Sequence, residues 1–281
     1  MTQVGKVIEI RRYPVKSMLG EVIEEAAVTE RGLEGDRVHG LFDPETGRVV
    51  SVKRPERWRR LFEFTASTGA GGVQVRFPDG RTYAADDPDF TAAASEFFGR
   101  PVELVTVPIP QRAIFDEAWM SELNAGAPPP GDQQPRGPEG IVDGGGSYGV
   151  DGGLFNYGAV HLLTTGAVRA LAEAKPDSRF DAYRFRPNIV IDTDETGFAE
   201  TGWQGRTLDV GEVTFEMEFT VPRCVMTTLA QAGLPADRDV LRTITRLNRV
   251  ELIGHLYPCL GIYGKAKSSG TIRVGDTVTI D

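Results

Sequence analysis

Short runs of β-branched and aromatic residues, cut by glycine- and proline-rich turns, set the pattern of this chain. Residues 4–13 and 21–29 read as strands, with Met18-Leu19-Gly20 as the break between them. Arg31-Gly32-Leu33-Glu34-Gly35-Asp36-Arg37 is a glycine-punctuated turn. Residues 38–42 and 49–52 flank Asp43-Pro44-Glu45-Thr46-Gly47, a hairpin connection. Residues 73–77 and 81–83 flank Pro78-Asp79-Gly80, where proline presets one turn angle and glycine tolerates the other. The spacing predicts a short helix over 55–62, a second over 89–98 ended by Gly99, and a strand over 102–107.

The stretch 124–153 changes character. Pro128-Pro129-Pro130, Gly137-Pro138 and Gly144-Gly145-Gly146 fall within it, which is the composition of a linker or mobile loop. Beyond it, residues 160–163 predict a strand running into a helix. Thr164 or Thr165 is the expected N-cap, and Val168, Leu171 and Ala172 the apolar stripe. A strand over 188–192 follows, then strands within 207–219, a helix over 237–245, and a closing strand and turn over 270–276. Strands dominate and there is no regular βαβ alternation. The expected fold class is mainly β with some helices (α+β), not a doubly wound sheet.

Composition narrows the function classes. The chain has 281 residues, enough for one large domain or two small ones. Its net charge is −9, from 31 basic and 40 acidic residues, which opposes non-specific nucleic-acid binding. No apolar run approaches the ~18 residues of a membrane span. Met1-Thr2-Gln3-Val4-Gly5-Lys6 leads straight into a strand pattern rather than a signal or transit peptide. A cytoplasmic location, no membrane partner and two reduced thiols, Cys224 and Cys259, are the expectation.

Among candidate chemistries, Gly144-Gly145-Gly146-Ser147-Tyr148-Gly149 matches a dinucleotide fingerprint literally, but Val150-Asp151-Gly152-Gly153 cannot open the helix that the fingerprint needs. The three histidines are isolated and no zinc ligand set is visible; His161 reads as a core residue. Cys224 is more pointed. It follows Arg223 at the exit of a strand, where a thiolate can be a nucleophile, a soft-metal ligand or a persulfide carrier, with a buried inert cysteine as the alternative. Lys16 and Ser17 at another strand exit, Arg37, Arg186, and a helix start at Thr164-Thr165 are groups that together suit a phosphate or pterin.

These fragments, in order, resemble the MOSC family, and within it the amidoxime-reducing subgroup with an N-terminal β-barrel region. The resemblance rests on Tyr13-Pro14-Val15-Lys16-Ser17, Gly32-Leu33-Glu34-Gly35-Asp36-Arg37 and His161-Leu162-Leu163-Thr164-Thr165. It continues through Arg184-Phe185-Arg186-Pro187-Asn188-Ile189-Val190-Ile191, Arg223-Cys224-Val225-Met226-Thr227-Thr228 and Gly270-Thr271-Ile272-Arg273-Val274-Gly275-Asp276. It implies a MOSC N-terminal β-barrel-like region over 1–107, a loop or insertion over 108–153, and a MOSC core domain over 154–281, with residues 1–12 available to complete the barrel. It further implies molybdenum cofactor as ligand, held by Cys224 at the metal and contacted by Lys16, Ser17, Arg37, Thr164, Thr165, Arg186, Asn188 and Arg223. The implied activity is reduction of N-hydroxylated or N-oxide-like small molecules. Two cysteines cannot supply an iron–sulfur cluster, so electrons would come from a separate electron-transfer protein. The same family also contains sulfur carriers, where the cysteine takes sulfur as a persulfide from a cysteine desulfurase; nothing here resembles that pyridoxal-phosphate domain. A cofactor-binding module without turnover is the third implied reading.

The chain departs from the family pattern in three places. Phe198-Ala199-Glu200-Thr201-Gly202-Trp203 keeps one acid of a usual pair, Gly166-Ala167 stands where relatives often have Ala-Ser, and 229–234 lacks the usual proline-glycine stretch.

Overall fold

The structure, a computed structural model, describes residues 1–107, 154–155, 158–252 and 254–281. The Pro/Gly-rich stretch 108–153, with the glycine run at 144–149, lies outside the described residues. The chain forms two compact units. One comprises Met1–Arg12, Val22–Glu34 and Gly158–Asp281, the other Tyr13–Glu21 and Gly35–Tyr157.

The first unit is built on a closed ring of seven strands: β1 (Thr2–Arg12), β2 (Val160–Thr164), β3 (Ile189–Asp192), β4 (Thr207–Val210), β5 (Val213–Pro222), β6 (His255–Ala266) and β7 (Thr277–Ile280). Hydrogen-bonded neighbours run β2-β3-β1-β7-β4-β5-β6, and β6 pairs back to β2, so the ring has no open edge. The mainly β fold class follows from this ring. The ring is antiparallel except for β2 and β3, which are parallel and joined through the helix Thr165–Ala174. The strand over 160–163, the helix after it and the strand over 188–192 match the expected elements, and only their parallel pairing lies outside the local pattern. A parallel pair needs such a connection because a tight hairpin cannot reverse the chain twice.

Alternation along the strands builds two cores. Val7, Leu162, Ile191, Phe215, Met217 and Ile262 belong to the cluster on one face. Leu163, next to Leu162 and so on the other face, packs with Ala167 and Leu171 of the helix, Phe185, Val240, Ile244 and Leu260. Leu260 and Ile262 are two residues apart yet serve different cores. Gly261 between them has φ +81°, and an added Cβ there would sit 2.2 Å from His161 Nε2. Only glycine fits this bend, which reverses the strand's facing.

The strand β6 extends before the ring into a hairpin with Arg249–Leu252. The local pattern does not predict this strand, because Pro258, Gly261 and Gly264 interrupt its run.

In the second unit, Glu103–Thr106, His39–Asp43 and Arg48–Val49 form one three-stranded sheet; Thr65–Gly69, Gly72–Arg76 and Thr82–Ala84 form another. Asp43 Oδ1 accepts from the amides of Glu45 (2.9 Å) and Thr46 (3.3 Å), which closes the expected hairpin. The helix Pro88–Phe98 is capped by Asp87 and ends at left-handed Gly99. Phe64 makes ring contacts with Phe77, Phe97 and Phe98 beside it.

Candidate functional site

The two cysteines of the first unit have different surroundings. Cys259 is fully buried on β6, and burial pushes its thiol up, a bond with Thr220 only partly opposing this. Cys224 is half-buried, and both are free thiols. The strand β5 ends at Pro222; the Arg223 amide then donates to the Pro258 carbonyl at 2.8 Å. Cys224 follows in extended conformation and opens the 3-10 turn Val225–Thr228, with no hydrogen bond from its side chain to the turn. Its carbonyl accepts from Thr227 N (3.2 Å) and Thr227 Oγ1 (3.0 Å). The Cys224 backbone is thus fixed while its side chain does not serve as a cap.

Arginines tie this segment to the motif at 184–188. Arg223 Nη2 donates to the Phe185 carbonyl at 2.7 Å. In the opposite direction, Arg184, 1% exposed, donates from Nη1 to the Thr227 (3.2 Å) and Leu229 (3.0 Å) carbonyls and from Nη2 to Pro235 (2.9 Å). Arg186 closes the turn Ala182–Phe185 in left-handed conformation, and its carbonyl lies 3.3 Å from His161 Nδ1. Asn188 Oδ1 accepts from the His161 amide (3.1 Å) while its Nδ2 donates to Arg11 O (3.2 Å). His161 is thus part of this framework, in line with its reading as a core residue.

Arg186, Asn188, Arg223 and Cys224 are therefore gathered around the start of β2 and β3. Thr164 and Thr165 stand at the far end of β2, about 10 Å along the strand. The Thr164 hydroxyl donates to Glu200 Oε2 at 2.7 Å and accepts from Ala167 N at 3.1 Å, capping the helix as the sequence suggested. The Thr165 hydroxyl donates to Asp192 Oδ1 (2.8 Å) and accepts from Thr193 N (3.0 Å). Both hydroxyls are engaged within the fold.

Glu200 is the residue whose part the sequence did not reveal. It is 1% exposed, and its Oε1 accepts from Gly261 N at 3.3 Å. Desolvation pushes its carboxyl up to about 7, held back in part by the bonds from Thr164 and Gly261. The signal was present as a carboxylate set between Phe198 and Trp203, but its burial arises from β2 and β6, distant in sequence.

In the second unit, Lys16 Nζ donates to the Leu154 carbonyl at 2.8 Å. Ser17 Oγ accepts from Val52 N at 3.4 Å. Arg37 pairs with buried Asp36, and its guanidinium lies 4.8 Å from the Tyr13 ring centre. Asp36 in turn accepts from Tyr13 N at 2.7 Å. Among the described residues, four non-glycine residues adopt positive φ: Ser17 (66°), Arg37 (51°), Arg186 (57°) and Ala232 (49°). Left-handed backbone costs such residues roughly 1–2 kcal/mol each. Three of the four are cofactor contacts implied by the resemblance.

Among the described residues, no three His, Cys, Asp or Glu side chains converge as a metal site. A single half-buried thiol suits a metal whose other ligands arrive with a chelating cofactor, and the positive charge of the neighbouring Arg186 and Arg223 suits an anionic one, while the Asn188 side chain is engaged within the fold.

Known proteins resemble this chain over most of its length. The chain is 24% identical to human mitochondrial amidoxime-reducing component 1 over 99% of its own length and 83% of that protein. It is 24% identical to molybdenum cofactor sulfurase of Drosophila grimshawi over 98% of its length, but spans 34% of that protein. Over 42% of the chain it is 33% identical to rat mitochondrial amidoxime reducing component 2, covering 36% of that relative. Residues 4–123 match the MOSC N-terminal beta barrel domain and residues 151–279 the MOSC domain. The chain therefore belongs to the MOSC family.

Proposed function

We propose that this chain is an oxidoreductase that binds molybdenum cofactor, with Cys224 as the protein's ligand to the metal. The observation that carries the reading is the half-buried Cys224, whose segment is held by guanidinium bridges beside the left-handed Arg186, while Cys259 is sealed in the core. Similarity to an amidoxime-reducing component over nearly the whole chain supports a reductase of N-hydroxylated or N-oxide-like small molecules. When bound, the cofactor supplies the two-electron redox change that removes the substrate's oxygen. The chain's part is to hold and desolvate the reacting centre. Arg186 and Arg223 bring positive charge for an anionic cofactor, and Asn188, Lys16, Ser17, Arg37, Thr164 and Thr165 remain proposed contacts on the resemblance. Electrons come from a separate redox protein in this reading. A cytoplasmic location belongs to the same proposal; no described helix is long and apolar enough to cross a membrane.

Protein made in cells with intact cofactor biosynthesis is expected to carry about one molybdenum per chain, as one Cys224 ligates one metal. Cys224→Ala is expected to lose it. Elemental analysis decides: normal metal content in that variant ends the reading.

A second reading is favoured by the 98% coverage against a sulfurase and by the free, half-exposed thiol. Cys224 would accept sulfur as a persulfide from a cysteine desulfurase. Mass spectrometry of the Cys224 peptide after incubation with desulfurase and cysteine tests it; a peptide unchanged in mass counts against sulfur carriage.

A further inference from the structure

We infer that Arg184 is a positioning residue for Cys224: its guanidinium, inserted into the carbonyl end of the turn that Cys224 opens, fixes where the thiol is presented. The inference rests on the reading of Cys224 as the reactive thiol. Arg184 itself is 1% exposed, so it acts through the segment rather than on a bound group.

The geometry separates this role from general packing. The turn is tied from within by Thr227 to the Cys224 carbonyl and by Gln231 Nε2 to the Met226 carbonyl at 3.2 Å. Those bonds set the turn's shape but not its location. Location comes from bonds to other elements, and Arg184 supplies two of them, to the carbonyls of Thr227 in the turn and Leu229 at its end, with a third bond holding the following segment at Pro235. The planar fork of a guanidinium can serve several acceptors at once, which an ammonium cannot do from one rotamer. Arg223 bridges the same two segments in reverse, to the Phe185 carbonyl. Sliding the thiol relative to Arg186 and Asn188 therefore breaks both bridges, together with the backbone bonds from Arg223 N to the Pro258 carbonyl and from Asp237 N to the Thr228 carbonyl. Burial lowers the Arg184 pKa from its ordinary value, with Asp237 and Asp181 opposing, and leaves a cation.

The test compares wild type, Arg184→Lys and Arg184→Met as full-length protein. Alkylation by iodoacetamide is followed at Cys224 and Cys259 by mass spectrometry at one pH, and molybdenum per chain by elemental analysis. In Arg184→Met, Cys224 should react roughly fivefold faster or more, the factor that goes with a loss of about 1 kcal/mol. Cys259 should stay protected, metal content should fall, and Arg184→Lys should recover part of both. Wild-type alkylation and wild-type metal content in a folded Arg184→Met would overturn the inference. So would both cysteines opening together with no recovery by lysine, which makes Arg184 a general fold residue. If the methionine variant does not fold, the lysine variant is read alone: faster Cys224 with protected Cys259 supports the inference, and unchanged Cys224 overturns it. Retention of molybdenum in Cys224→Ala would remove the cofactor reading while leaving the alkylation comparison standing.

Discussion

Arg184 and Glu200 are both ionisable side chains at 1% exposure in the barrel unit, and they solve burial in opposite ways. Arg184 cannot shed its proton near neutral pH, so the fold surrounds it with carbonyl acceptors from the Cys224 side. Glu200 has two donors, Thr164 and Gly261, and meets desolvation by holding its proton up to about 7. One side of the unit is locked by a permanent charge. The other carries a charge that comes and goes near neutrality.

The largest effect should come from removing the permanent charge. Arg184→Met leaves three carbonyls without their donor, at a cost of about 4 kcal/mol. Because the guanidinium does not titrate near neutrality, the loss should be the same on both sides of neutral pH. Denaturant unfolding measures it; a loss that varies with pH would mean that Arg184 depends on a titrating neighbour and would break the contrast.

Glu200→Gln should show the reverse behaviour. The folded carboxyl is raised above its ordinary 4.5 to about 7, so the folded state binds the proton more tightly than the unfolded chain. The stability this provides is complete below about 4.5 and is lost as pH rises through about 7. At 1.36 kcal/mol per unit the wild type should lose about 3 kcal/mol across that window. The glutamine variant should be flat there. Parallel slopes for the two proteins would place the titration elsewhere.

Sequence legibility divides along the same line. The Thr164 cap, the Gly99 helix end and the hairpin after Asp43 are all visible because each is made by residues within a few positions of one another. The alternation that predicted strands also predicted the mainly β fold. The roles of Arg184 and Glu200 are not visible, since the acceptors of one lie 43 to 51 residues away and the donors of the other 36 and 61. The strand β6 hid for a related reason. Pro258, Gly261 and Gly264 break its local signal, and what makes it a strand is pairing with β2 and β5. Strand Thr65–Gly69 hid because its residues are mostly polar or small, and it is recognisable by its pairing with Gly72–Arg76. Likewise the motif order pointed to both Cys224 and its arginines, but the half-exposure of Cys224 against the sealed Cys259 is a property of the folded chain.

The smallest effect tests whether Thr164 belongs to the helix cap or to the carboxyl. Thr164→Val removes the cap on Ala167 N, worth about 1 kcal/mol. It also removes one of the bonds that hold the Glu200 pKa down, so the carboxyl should move further up and the window of stability loss should extend to higher pH. A double-mutant cycle with Glu200→Gln separates the two contributions. The cap contribution is independent of pH. A bond from Thr164 to Glu200 is stronger when the carboxyl is charged, so the coupling should be larger above about 7 than below about 4.5. Equal coupling at both ends would reduce Thr164 to a helix cap and leave Gly261 as the contact that matters for the proton on Glu200.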